Sequence, residues 1–250
     1  MLENTKNIAV IICAAGASSR FGGKRKKTFV DVAGRAAFLR SVELFTGHKD
    51  VKQVLLAISK DDQELVEVKW GANLKFFGVK TYLGGDERFD TVAKGLELIK
   101  DDIDLVAVHD AVRCCLTQEW IDACFKAAAQ TGAAMLACPV VATLKKVQDS
   151  NIVETIDRTG LYEAQTPQVF ATELLKKAYA NLKNLDADNI SDDSQLVEAL
   201  GEKVAIVETD SANIKITRPC DVAIAQAIIK LRSQSAAKKG PAGPYSEAQW

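Results

Sequence analysis

Apolar positions along this chain follow two rhythms that take turns. Short continuous apolar runs, beginning with Ile8–Cys13 and recurring at residues 54–58, 79–83, 105–108, 134–139 and 204–207, read as strands covered on both faces. Between them lie segments whose apolar residues recur three and four apart, the period of a helix packed on one side. Residues 36–46 place Phe38, Leu39, Val42 and Phe45 on one face before Gly47, and Gln118–Thr131 does the same with Trp120, Ile121, Cys124, Phe125 and Ala128. Further helices are expected over residues 62–70, 89–99, 172–183 and 192–200, with a last one from Pro219, a residue favoured in a first helical turn, to about residue 233. Strand, turn and helix in repetition predict an α/β fold with a mostly parallel sheet and helices on both faces.

Residues 140–170 break the rhythm. Leu144–Gln148 and residues 152–156 read as two short strands around Asp149-Ser150-Asn151, a protruding β-hairpin arm at about residues 140–158. It has too little apolar mass to be a domain, and a two-stranded ribbon is marginal alone in water, so a partner subunit is its simplest support. A short run at 214–216 reads as one more strand. Residues 1–234 are expected to form one domain, and 235–250, SAAKKGPAGPYSEAQW, have the composition of a loose tail.

Composition narrows the setting. The 250 residues are 48% hydrophobic and 26% charged with a net charge of −1, ordinary for a soluble globular protein, and nothing in them suggests a nucleic-acid or membrane surface. No apolar run approaches the roughly 20 residues of a membrane span, and Glu3 precedes the first strand with no signal or transit peptide visible. The six cysteines form no C-x-x-C pair and read as reduced thiols of a cytoplasmic protein. His48 and His109 are the only histidines, too few for a histidine metal cage. A metal is expected to be held by carboxylates and substrate phosphates.

The chemistry-bearing residues cluster after strands. Ala14, Ala15, Gly16, Ala17, Ser18 and Ser19 follow the first strand, and their side chains are too small to keep a ligand from the backbone amides. Arg20, Lys24, Arg25, Lys26 and Lys27 then fall within eight positions, beside Gly22 and Gly23. Neither G-x-G-x-x-G nor G-x-x-x-x-G-K-[ST] is present. A solvated surface turn is the plain alternative, but open α/β sheets bind ligands at the carboxyl ends of their strands, which favours a polyanion site. Two further strand ends carry Gly84-Gly85-Asp86-Glu87-Arg88 and His109-Asp110-Ala111-Val112-Arg113. Asp110 could ligate Mg²⁺, accept from a sugar hydroxyl or cap a turn.

AAGASSRFG with Lys27, then GGDERFDTV, VHDAVR, IDRTGLYEAQTPQ and NIKITRP, occur in that order. The series resembles the motifs of the 2-C-methyl-D-erythritol 4-phosphate cytidylyltransferase family, Rossmann-like nucleotidyltransferases of non-mevalonate isoprenoid biosynthesis. The resemblance implies transfer of CMP from CTP to methylerythritol phosphate with release of pyrophosphate, aided by Mg²⁺ or another divalent cation, in a homodimer joined through the arm. It implies catalytic charges at Arg20, Lys27 and Lys215. Nucleotide contacts would lie at Ala14, Ala15, Gly16, Gly85, Asp86, Thr91, Asp110 and Ala111, with Asp110 a metal ligand. Acceptor contacts would lie at Arg113, Thr143, Arg158 and Thr166. This chain departs from many members in having Ser18 for glycine and Lys26-Lys27-Thr28 for Pro-Lys-Gln, which bears on the path of the loop. Two alternatives remain open at the level of sequence: a ribitol-5-phosphate cytidylyltransferase, and a nucleotide-binding module without catalysis.

Overall fold

The computed structural model describes residues 6–16, 21–22, 26–186 and 190–238. In chain order it contains β1 (Ile8–Cys13), β2 (Asp31–Val32), β3 (Arg35–Ala36), α1 (Ala37–Thr46), β4 (Val51–Ile58), α2 (Gln63–Phe76), β5 (Lys80–Leu83), α3 (Arg88–Leu96) and β6 (Leu105–Asp110). Then follow α4 (Gln118–Thr131), β7 (Ala133–Pro139), β8 (Leu144–Gln148), β9 (Asn151–Ile156), β10 (Tyr162–Ala171), α5 (Thr172–Ala180), α6 (Asp193–Glu198), β11 (Ala205–Glu208) and α7 (Pro219–Lys238).

Seven strands form the central sheet, in the order β11-β7-β10-β6-β1-β4-β5. β1 lies inside it, parallel to β4 on one side and to β6 on the other. Its continuous apolar run divides between two layers, because successive side chains of a strand point to opposite faces. Ile8, Val10 and Ile12 join Phe38, Val42 and Phe45 of α1, Val66 of α2 and Ile121 and Phe125 of α4. Ala9 and Ile11 join Val92 of α3, Leu175 of α5 and Leu196 of α6. The α/β expectation therefore holds, with helices on both faces.

β10 is the element the apolar rhythm did not reveal. It runs antiparallel between β6 and β7, and Pro167 within it argued against a central strand, since proline removes a ladder donor. Pro167 sits inside an irregularity of register between Ala164 and Gln168, preceded by a cis peptide bond. Three smaller differences bear on the site. β6 runs two residues past the expected end, so His109 and Asp110 belong to the strand, and Asp110 is the register partner of Cys13. The run at 214–216 is not a strand; it follows β6's end through a hydrogen bond from the Ile216 amide to the Val112 carbonyl. α7 continues through Lys238 rather than stopping near residue 233.

β8 and β9 form the arm as a separate two-stranded sheet. Asp149 and Ser150 hold positive φ values of 48° and 64°, the two-residue turn that matches the twist of paired strands. Val141, Val147, Ile152 and Val153 are exposed, so the arm has no apolar cover from its own chain.

Candidate active site

The carboxyl ends of β1, β5 and β6 open into one cleft of about 470 Å³. Ala14, Ala15 and Gly16 form one wall and the Gly85–Thr91 segment another; Lys27, Asp110 and Lys215 complete it. The walls come together because the turn after β5 is glycine. A Cβ on Gly84 would stand 2.5 Å from the Ala15 Cβ, and one on Gly85 would stand 2.2 Å from the Asp90 Cβ. α3 begins immediately beyond, fixed by a reciprocal capping box between Glu87 and Asp90. That places Arg88, its first residue, at the cleft.

Asp110 is surrounded by cations. Lys215 Nζ lies 2.8 Å from Oδ2, Arg113 Nε 3.4 Å from Oδ2, and Arg88 Nε 3.5 Å from Oδ1. Burial disfavours its charge, but Lys215, Arg88 and Arg113 together outweigh burial and hold the carboxyl well below the usual carboxylate range. Beneath it the Asp110 amide donates to Thr166 Oγ1 at 3.0 Å, and Thr166 Oγ1 lies 3.0 Å from His109 Nδ1. Because the Thr166 oxygen accepts from Asp110, its proton points to Nδ1. Burial lowers the His109 pKa to about 3, so the imidazole is neutral at ordinary pH.

The loop carrying Lys215 is fastened from below. Asn213 is buried and its side-chain amide donates to Gln165 Oε1 at 2.8 Å and to the Thr166 carbonyl at 3.2 Å. A second, smaller cavity of about 140 Å³ adjoins the cleft, and Arg88, Asp110 and Lys215 line both. Ala164, Thr166 and Gln168 of β10 line only the smaller one.

Of the residues singled out from sequence, Ala14, Ala15, Gly16, Lys27, Gly85, Asp86, Thr91, Asp110 and Lys215 all line the cleft. Arg20 lies outside the described residues. Ala111 is buried, its amide bonded to the Cys13 carbonyl and its carbonyl to Ser41 Oγ, so it supports the strand ends from within. Arg113 lines the smaller cavity, yet its guanidinium is committed to Asp110 and to the carbonyls of Asn213 and Ala164. The Gly85 amide is likewise taken, by Thr91 Oγ1 at 3.0 Å. Thr143 and Arg158 are exposed on the arm, where Arg158 donates to the Val141 carbonyl, and neither is among the residues lining the cleft. Lys26, read from sequence as part of the basic cluster, pairs instead with Asp62 at 2.8 Å.

Two members of the network escaped the sequence reading. Arg88 links Asp110 to Asp193, which it meets at 2.7 Å. The signal for Arg88 was present, a cation just after the Gly-Gly pair of a strand end. Asp193 gave none, since only the fold brings residue 193 beside residue 88.

The parallel strand ends, the small-residue loop and the lysines converging on one cleft define a nucleotidyltransferase. The model of the 2-C-methyl-D-erythritol 4-phosphate cytidylyltransferase family matches residues 8–231. A relative of that name from Endomicrobium trichonymphae is 43% identical over 223 residues, spanning 89% of this chain and 98% of its own. The solved structure of 4-diphosphocytidyl-2C-methyl-D-erythritol synthase from Anaerococcus prevotii superimposes with a TM-score of 0.78 at 28% identity, covering 90% of this chain and 97% of that one. The enzyme of Thermus thermophilus, titled 2-C-methyl-D-erythritol 4-phosphate cytidylyltransferase, gives 0.73 at 33% identity, over 90% and 99%. The chain belongs to the 2-C-methyl-D-erythritol 4-phosphate cytidylyltransferase family and is a cytidylyltransferase.

Proposed function

We propose that the strand-end cleft is where this enzyme carries out its family's reaction, passing CMP from CTP to 2-C-methyl-D-erythritol 4-phosphate with release of pyrophosphate. One observation carries the reading: Lys27 and Lys215 line the same cleft as the small-residue segment Ala14 to Gly16. That segment lets phosphate oxygens reach the backbone, and the two ammonium groups face the same space. The base and ribose lie toward Gly85, Asp86 and Thr91, on the opposite wall.

The chemistry follows from charge. The acceptor's phosphate monoester, with a second pKa of about 6, is largely a dianion at neutral pH and needs no general base. Its attack on an already anionic triphosphate is limited by repulsion and alignment, so positive charge fixed in place is what lowers the barrier. Lys27 and Lys215 supply it, with Arg20 as a third cation from the basic loop. Asp110 remains ionised and holds the Lys215 ammonium at 2.8 Å, aiming it rather than reacting. Attack in line inverts the α-phosphorus and expels pyrophosphate.

Asp110 does not fit the role of metal ligand, because its carboxylate already faces Lys215, Arg88 and Arg113. No cluster of three or more metal-ligating side chains occurs among the described residues. A divalent cation such as Mg²⁺ therefore belongs with the triphosphate oxygens, where it offsets their charge.

The uncovered arm supports a homodimer. Paired arms would bury Val147, Ile152 and Val153 and bring Thr143 and Arg158 to the neighbour's acceptor site, beside Thr166. All six cysteines are unpaired, which fits a reducing cytoplasm. Pyrophosphate release from CTP tests the reading: methylerythritol phosphate should support turnover, whereas turnover with ribitol 5-phosphate instead, or with no acceptor, would overturn it.

A further inference from the structure

Lys27 stands at the start of a short 3₁₀ turn, Lys27–Phe29, and that turn is gripped on both sides by one neighbour. On the downstream side Phe29 stacks on Trp70 of α2, with ring centroids 5.3 Å apart and planes 17° from parallel, and Phe38 meets both rings edge-on. On the upstream side Lys26 Nζ lies 2.8 Å from Asp62 Oδ2 and 3.0 Å from Ser59 Oγ. The Ser59 hydroxyl donates to the same Asp62 oxygen at 2.6 Å. Asp62 is buried, at the end of the turn Lys60–Asp62 that leads into α2. Lys26 is half-buried and is not among the residues lining the cleft.

We propose that Asp62 and Ser59, by binding Lys26, form a staple that positions Lys27 for the transfer step. Both are positioning residues, since neither reaches the cleft. The arrangement addresses a difficulty inherent in Lys26-Lys27. Two adjacent ammonium groups compete for one triphosphate, and a loop free to present either would present neither well. Asp62 withdraws Lys26 and fixes the backbone one residue, about 3.8 Å, from the acting lysine. Displacement of a reacting group by about 1 Å can lower a rate about 10²-fold, so a restraint this near is felt in turnover. The backbone of Lys26 sits at φ −67° and ψ 141°, a conformation that a proline would impose covalently. The ion pair does by charge what a ring could do by geometry.

The proposal rests on the reading of Lys27 as a charge in the transfer step. Asp62→Asn and Lys26→Ala are each expected to lower kcat at saturating CTP by about tenfold. KM for CTP and the melting temperature should move little. The double variant should fall no further than the worse single one, because the two residues act as one pair. Lys26→Pro should retain most of the kcat that Lys26→Ala loses, which a pair that only stabilised the fold would not produce. Wild-type kcat in both single variants, multiplied losses in the double variant, or a proline variant as slow as the alanine one overturns the staple. Lys26→Ala, at a half-buried position, carries the test if Asp62→Asn does not fold. Lys27→Ala separates the two ideas: full turnover there removes the catalytic reading, whereas turnover lost there and intact in Asp62→Asn removes only the staple.

Discussion

Arg88 and Asp193 meet across 2.7 Å between the first turns of α3 and α6, so two helices on one face of the sheet begin on a shared charge pair. Asp193 also accepts from the Tyr179 hydroxyl at 2.5 Å, and Gln168 Oε1 receives the amides of Asp193 and Ser194. Arg88 is thereby aimed back at Asp110, at 3.5 Å. Removing one partner of a buried pair leaves the other without compensation. Asp193→Asn should cost about 3 kcal/mol of stability in urea denaturation. A loss of less than about 0.5 kcal/mol, the range of ordinary surface substitutions, would mean that the pair is not structural.

Lys27→Ala is expected to lower turnover by about 10² or more while the fold is retained, because the charge it offers matters most as charge develops on the phosphates. Steady-state rates alongside circular dichroism check this. Turnover within about threefold of wild type would return Lys27 to the status of a solvated lysine.

The arm makes a prediction about subunits rather than residues alone. Lys27→Ala and Arg158→Ala protein, each inactive, should regain activity when mixed and allowed to exchange. One site of each mixed dimer then receives Lys27 from its own chain and Arg158 from the other. Verified exchange with no recovered activity would place Arg158 in its own subunit's site, or in none.

His109 should make stability depend on pH in a particular window. Its folded pKa is lowered by burial from 6.5 to about 3. Between those values the unfolded chain binds a proton that the folded chain does not, so stability falls as pH drops through about 6.5 and continues to fall toward 3. His109→Gln removes that proton uptake. Denaturant midpoints at pH 7 and pH 4.5 should differ less in the variant than in wild type; an equal difference would show that His109 is not the group responsible.

Legibility in the sequence tracked locality. Ile8–Cys13 and Gln118–Thr131 were bounded correctly, because a continuous apolar run and a one-sided helical face are written in adjacent residues. The cleft-lining residues at the ends of β1, β5 and β6 were equally visible, since small residues or charge directly after an apolar run mark a strand end. What the sequence concealed was non-local. β10 reads as polar, with Gln165, Thr166 and Gln168 along it, because these residues satisfy partners from β6, α6 and the Lys215 loop rather than facing apolar layers. Asp62 and Asp193 gave no signal of their own; each acquires its role from a cation contributed by a distant segment.

The placement of β10 between two antiparallel neighbours sets where this chain can change length. Its side chains alternate, with Gln168 and Phe170 toward α6 and α5 and Val169 toward α4. A single residue added or removed within Tyr162–Ala171 would turn that alternation over along the altered part of the strand, setting Val169 against the amides of α6 and Gln168 among the apolar side chains of the other layer. The tip of the arm at Asp149 and Ser150 carries no such constraint, because no sheet position follows from its register except that of its own ribbon. Drift in loop length can therefore accumulate at the arm's tip, while the strand only a few residues after the arm tolerates exchange of side chains but not of count.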